Sequence, residues 1–359
     1  MARLVIELTN RCNLRCQHCF DERHAATGEL SLTILDRVLQ EGKACGIDHL
    51  AFTGGEPTVH RQLAEIIRRV GAAAYTWSLV SNGSTFPQIY TRLRQARPWF
   101  TGVTFSLDGA YEATHDRLRG RGSFRQVMRA ASLCVVTGLP FNLNMVLTAH
   151  NREEVAAMVG LAARLGSHGV RFGHLMMTPD TAWRHLDLSP PERRAVEAEI
   201  WELRARAPVP VGMAPGYYHE APFFPCAPLE QQEYNLDYRG NLTLCCQLSG
   251  YAGGTPGTDV VGSLHELSLA DAVARFGQRV ATYLADKRER IRQGAFGGLD
   301  HFPCWYCVNY LGKVPALAAM PHHPWTAATA TAAMGDPHAH FGSETPTPSR
   351  GGGDHPRNR

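Results

Sequence analysis

The 359-residue sequence has no apolar run approaching the roughly 18 residues a membrane-spanning helix needs. Its opening, MARLVIELTNRC, has neither the apolar stretch nor the small-residue cleavage pattern of a secretory signal. It has no basic run, and a formal net charge of +3 is too small to point to nucleic acid or an anionic membrane surface. No solenoid-type repeat is present. These absences lead to the expectation of a cytoplasmic protein with no nucleic-acid and no membrane partner. Cysteine is also scarce, at ten residues. In a reducing compartment disulfides are disfavoured, so clustered cysteines read as metal ligands or reactive thiols.

What is present is an ordinary globular composition, 44% hydrophobic and 19% charged. Short apolar runs recur between helical patterns: RLVIEL (3–8), HLAFT (49–53), WSLVS (77–81), VTFSL (103–107), FNLNMVLT (141–148) and VRFGHLMM (170–177). Each has the length of a buried strand. The segments between them repeat apolar residues at helical spacing, as in Leu35, Val38 and Leu39 or Ile66, Ile67 and Val70. Strand alternating with helix predicts a parallel sheet. Six units by about residue 210 suit an α/β fold of the partial (β/α)6 TIM-like barrel kind better than a complete eightfold one.

Ligands gather at the C-terminal ends of strands in such folds, and TNRC, GGEP, NG and DG follow the first four runs. After a helix over 189–207 the chain turns rich in proline, glycine and aromatics and opens a second region, 211–312. Residues 313–359 are low-complexity and are expected to form a disordered tail.

Cys12, Cys16 and Cys19 lie in CNLRCQHC, a CxxxCxxC spacing with no fourth cysteine nearby. A structural zinc site normally shows four ligands, so three would leave one coordination position open. Soft thiolates favour iron–sulfur clusters. CxxxCx(aromatic)C just after the first strand of a βα repeat resembles the radical S-adenosylmethionine (SAM) enzymes, with His18 in the usually aromatic position. The likeness extends over roughly 3–180, where TGGEP (53–57), SNG (81–83), SLDG (106–109) and HDRLRGRGSF (115–124) follow successive strands.

That resemblance implies a 4Fe-4S cluster on the three cysteines. Its uncoordinated iron would take the amino and carboxylate groups of SAM, and one-electron reduction would yield a 5′-deoxyadenosyl radical that abstracts a substrate hydrogen. It implies that Gly54 and Gly55 let backbone approach the methionine amino group, while Glu56 anchors the turn or accepts from that ammonium. His18 offers a ring face to adenine. Ser81, Asn82, Ser106 and Asp108 are polar tips for ribose hydroxyls and the surroundings of the methionine carboxylate. Arg117 and Arg119 are candidate carboxylate partners, and Asn144 and Asn151 could complete the pocket.

Five further cysteines, Cys226, Cys245, Cys246, Cys304 and Cys307, fall in the second region. A cysteine, a glycine turn at Gly240, a cysteine after four intervening residues and a closing CWYC resemble the auxiliary-cluster region of the SPASM/twitch group. No cysteine follows Cys307, so the shorter twitch form is expected, with one auxiliary 4Fe-4S cluster on Cys226, Cys245, Cys304 and Cys307. Adjacent strand residues face opposite ways, and the glycine count favours Cys245 over Cys246. A four-cysteine zinc site is the alternative. Cys45 and Cys134 fall on core stripes and read as packing. Histidines 322, 323, 338, 340 and 355 lie in the tail and read as solvated.

The substrate is less legible. Related enzymes modify ribosomally made peptides or oxidise small alcohols, and a reductant such as flavodoxin or ferredoxin is implied. Only eleven residues precede Cys12, which leaves no N-terminal leader-recognition domain and is expected to weigh against a peptide unless a separate protein supplies recognition. GYYHEAPFFP (216–225) could line a substrate channel or pack a junction, and Tyr217, Tyr218, His219 and Glu220 are candidate bases within it. Outside this class, a non-catalytic iron–sulfur or zinc scaffold would explain the cysteines but not GGEP, SNG and SLDG at successive strand ends.

Overall fold

The computed structural model describes residues 2–20, 27–251, 254–315, 317, 320 and 322–326. Strands and helices alternate from the start: β1 (Ala2–Thr9), α1 (Leu32–Glu41), β2 (Ile47–Gly54), α2 (Leu63–Ala72), β3 (Thr76–Ser81), α3 (Phe86–Gln95), β4 (Phe100–Ser106), α4 (Glu112–Arg119), α5 (Ser123–Thr137), β5 (Phe141–Leu147), α6 (Val155–Arg164) and β6 (Val170–His174). Then come α7 (Pro179–Trp183), α8 (Pro190–Arg206), β7 (Val211–Met213), β8 (Glu233–Leu236), β9 (Asn241–Thr243), β10 (Val260–Ser263), α9 (Leu269–Arg292) and α10 (Pro303–Tyr310).

All ten strands form one sheet, in the order β10-β9-β8-β1-β2-β3-β4-β5-β6-β7. β1 to β7 pair in parallel, β8 joins the free edge of β1 in parallel, and β9 and β10 continue antiparallel. The fold is thus the α/β parallel barrel type expected from the alternation. The strand runs, though, are not buried on both faces. Along β3, Trp77, Leu79 and Ser81 are buried while Thr76, Ser78 and Val80 are half-buried, and β4 and β5 alternate in the same way. One face carries the helices and the core, and the other is an open concave face bearing His49, Ser78, Thr104, Ser106 and Asn144.

The region over 211–312 shares the first sheet: β8 pairs with β1 at Arg3↔Glu233 through Ile6↔Leu236. The low-complexity stretch begins later than 313. Lys313, Leu317 and Trp325 are buried, and the Trp325 indole donates to the Leu188 carbonyl at 2.8 Å, because two large apolar side chains are set among the alanines, threonines and prolines. The remainder of the expected tail, 327–359, lies outside the described residues. Cys134 is fully buried on α5, whereas Cys45 sits half-buried in the turn after α1 ends.

Candidate functional site

The three-cysteine loop leaves β1 at the C-terminal edge of the sheet, and the end of β2 sets its path. Gly55 N–H donates to Thr9 O at 2.7 Å and Glu56 N–H to Arg11 O at 2.8 Å. Gly54 has φ +128, and a Cβ there would lie 2.3 Å from Thr9 O; one on Gly55 would lie 2.0 Å from Arg11 O. The two glycines are therefore needed first for the close approach of the cysteine loop itself.

Glu56 is an anchor. Fully buried, it accepts from Ser81 Oγ (2.9 Å), Asn82 N (2.7 Å), Thr58 N (3.2 Å) and Thr58 Oγ1 (2.5 Å), so its oxygens are spent on the turn after β3. Burial pushes its carboxyl above the usual range against those donors. Ser81 in turn accepts from Gly83 N–H at 3.0 Å. The clamp presents Asn82 to the loop, where its amide donates to Asn13 Oδ1 at 2.9 Å and reaches to 4.0 Å of Cys12 Sγ. Ser84 closes the circuit, donating to Asn82 Oδ1 at 2.6 Å and accepting from Asn13 at 2.6 Å.

Asp108, after β4, gathers the other side. Fully buried, it accepts from Val146 N–H at 2.8 Å, lies 3.0 Å from His18 Nε2 and is paired with Arg119. Burial alone would raise its carboxyl, but Arg119 and His18 overrule it and hold it below the usual range. Arg119 also lies 4.0 Å from Cys16 Sγ. Burial pushes the Cys16 thiol up to about 11, with Arg119 pulling the other way.

His115 accepts from Asp108 N–H at 3.0 Å. Asn151 donates to Asp108 O (3.0 Å) and Val146 O (2.8 Å), so it braces this loop rather than lining a pocket. Arg117 stands apart, exposed on α4 beside His150. Ser106 and Asn144 are register partners on the concave face.

The second cysteine set is drawn from well-separated stretches of sequence, Cys226 to Cys307. Asp237 Oδ1 accepts from Arg239 and Asn241 N–H at 2.9 and 2.8 Å, and Gly240 at φ +86 completes the turn that sends β9 toward Cys245. Cys304 and Cys307 stand three apart on α10. The five thiols feel one another electrostatically: Cys245 senses Cys246, Cys226 and Cys304, and Cys304 senses Cys307, Cys226 and Cys246. Tyr283 Oη lies 3.1 Å from Cys307 Sγ. Ser249, four residues beyond Cys245, donates to Glu7 at 3.2 Å, and Cys304 shares a small cavity with His174 at the end of β6. Through Ser249 and Glu7 the second set abuts β1.

Of the aromatic stretch, Tyr217 is buried and donates to Gly173 O at 3.3 Å, Tyr218 stacks on His301, and His219 and Glu220 are exposed, so the four do not converge. Asn13, His115, Tyr283 and Lys287 belong to the site and escaped the sequence reading. Asn13 had the signal of lying between two motif cysteines.

Both thiol sets fit iron–sulfur ligation. Cys12 Sγ accepts from Leu14 N–H at 3.5 Å and Cys245 Sγ from Gln247 N–H at 3.5 Å, the kind of amide donor a cluster sulfur takes. Among the described residues His18 Nδ1, beside the first set, is buried with no hydrogen-bond partner. Residues 6–162 match the radical SAM superfamily. Over those residues the chain is similar to that superfamily, whose members use a 4Fe-4S cluster and SAM.

Among curated relatives it is 29% identical to the PqqA peptide cyclase of Methylobacterium sp. (strain 4-46), over 61% of this chain and 60% of that protein. It is 33% identical to the AdoMet-dependent heme synthase of Methanosarcina barkeri, over 45% and 47%. The chain thus spans about three fifths of the length of the peptide cyclase it matches. Its fold is similar to Streptococcus suis SuiB bound to precursor peptide SuiA (TM-score 0.59, 15% identity, 76% of this chain and 64% of that one). It is likewise similar to anSMEcpe with bound AdoMet (TM-score 0.59, 17% identity, 78% and 82%). Among the described residues no helix is long and apolar enough to cross a membrane.

Proposed function

We propose that the protein is a radical SAM enzyme that abstracts a hydrogen from a peptide precursor and completes an oxidation, cross-link or rearrangement with the help of one auxiliary cluster. The observation that carries this reading is the pair of thiol sets, three cysteines in the loop after β1 and a second set drawn from the segment before β8, the turn after β9 and α10. The chemistry supplied by the bound group is reductive cleavage of SAM to a 5′-deoxyadenosyl radical.

The chain's own residues do the rest. Asn82 and Arg119 brace the loop of Cys12, Cys16 and Cys19 from two sides, and Asp108 fixes Arg119 and the His18 ring so that His18 Nδ1 is left to accept a hydrogen bond. Glu56 and Asn151 hold these groups in register through backbone. Half-buried Ser78, Thr104, Ser106 and Asn144 offer donors and acceptors to an extended substrate on the concave face.

Cys226, Cys245, Cys304 and Cys307 are the proposed auxiliary ligands, with Cys246 adjacent. Zinc on the same four cysteines is the alternative that the iron count decides. The names of the relatives support a peptide as substrate, and a one-electron donor of the flavodoxin or ferredoxin type would serve it in the cytoplasm. The expected divisions are a barrel over 1–210 and a twitch-like module over 211–312 that shares its sheet.

The test is anaerobic reconstitution of the wild type and of Cys12→Ala/Cys16→Ala/Cys19→Ala, with iron counts and 5′-deoxyadenosine from SAM under dithionite. A variant that keeps one cluster's iron and forms no deoxyadenosine supports the reading. Wild type that binds zinc, or that carries both clusters and leaves SAM intact, overturns it in favour of a scaffold.

A further inference from the structure

Helix α9 carries a lysine where its buried stripe calls for an apolar residue. Leu269, Ala272, Phe276, Val280 and Tyr283 recur at three- and four-residue steps along the inner face, and the next member is Lys287. It is 1% exposed. Its ammonium lies 4.5 Å from the ring centroid of Phe224, 4.6 Å from Tyr306, 5.1 Å from Phe296 and 5.7 Å from Phe223. Phe223 and Phe224 come from the aromatic stretch before Cys226, so part of that stretch walls this ammonium.

The rings offset some of the cost of burying a charge, but a cation this deep still calls for an anion. Among the described residues no ion pair and no hydrogen bond reaches it. The carboxylate that acts on it, Asp300, is engaged by Arg290 at 3.3 Å. The remaining groups that act on it are Cys307 and Cys226. Phe224 lies two residues before Cys226 and Tyr306 next to Cys307, so the rings around the ammonium belong to the segments that carry these two cysteines, which bind metal as thiolates. Four thiolates around an iron–sulfur core carry net negative charge.

We propose that Lys287 is the built-in counter-charge of an iron–sulfur cluster held by Cys226, Cys245, Cys304 and Cys307, and that it raises the reduction potential of that cluster. The inference rests on the reading of this set as a cluster site. Its direction follows from charge: one-electron reduction adds a negative charge to the cluster, and a fixed cation beside it stabilises the reduced form more than the oxidised one. Low local polarity strengthens the effect, since four aromatic rings rather than water surround the ammonium. Tyr283, one turn earlier on α9 and 3.1 Å from Cys307 Sγ, acts on the same ligand.

The experiment uses the full chain carrying Cys12→Ala/Cys16→Ala/Cys19→Ala, so that only the second set can hold a cluster. It is reconstituted anaerobically, counted for iron and sulfide, and titrated with dithionite and mediators while the reduced cluster is followed by electron paramagnetic resonance. Lys287→Met is expected to load the same iron with a midpoint more negative by at least about 59 mV, a tenfold fall in the reduced-to-oxidised ratio at fixed potential. Lys287→Arg is expected to stay near the parent. If the methionine variant does not fold, Lys287→Gln is read in its place with the same expected direction. A fully loaded Met or Gln variant with an unmoved midpoint overturns the counter-charge alone, as does an Arg variant shifted as far as Met. An iron-free parent overturns the cluster reading itself, and the inference with it.

Discussion

Asp108 illustrates how a single side chain can organise a site without standing in it. Its carboxylate ties His18 and Arg119 to the strand ends, and its own N–H donates to His115. That last bond makes His115 a pH-sensitive part of the clamp. Burial, with Arg119 nearby, pulls its pKa from 6.5 down to about 4, so the folded chain favours the neutral ring. The unfolded chain binds the proton more readily, and the contribution of His115 to stability is therefore full above about pH 6.5 and is lost as pH falls toward 4. The loss amounts to about 3 kcal/mol at most. Denaturant titrations across that window should show stability falling with pH and a shallower fall in His115→Gln. Half-buried His49 and buried His60 and His174 are shifted in the same direction, so the slope should shrink and not vanish.

At the scale of elements, the decisive contact is the end of β2 against the start of the cysteine loop. A Cβ at Gly55 would meet the Arg11 carbonyl at 2.0 Å, and backbone cannot yield as a flexible side chain does. Gly55→Ala should cost roughly 1–3 kcal/mol and displace Arg11, lowering both denaturation midpoint and SAM cleavage; a variant with wild-type values of both would show that the approach is dispensable. The strand and helix alternation up to β6 was legible because long apolar runs carry period and length. The four later strands were not, since β7 to β10 have three or four residues each and no period can show in so few. Glu56 and Asn151 were legible as polar residues at strand ends, but a carboxylate that clamps a turn and one that meets a ligand are the same letter in a sequence. Lys287 had a signal that went unread, a charge at an apolar position of a regular stripe.

The whole molecule is held across its two regions by the segment around Trp325. Its ring, fully buried, lies 4.3 Å from the guanidinium of Arg193 on α8 and packs on Phe302 and Trp305 beside the second cysteine set. Trp325→Ala should lower stability by roughly 3–5 kcal/mol, read as a drop in thermal midpoint. The sheet ties the same regions in another way. β1 is flanked by β2 on one side and by β8, some 230 residues later, on the other, and the loop carrying Cys12, Cys16 and Cys19 springs directly from it. During synthesis, the strand beneath the first motif to leave the ribosome gains its second neighbour only when β8 has emerged. The second set is complete only once Cys307 follows. On the proposed reading, iron and sulfide could fill the second set only after both regions have been synthesised, so loading of that site follows pairing of β8 with β1.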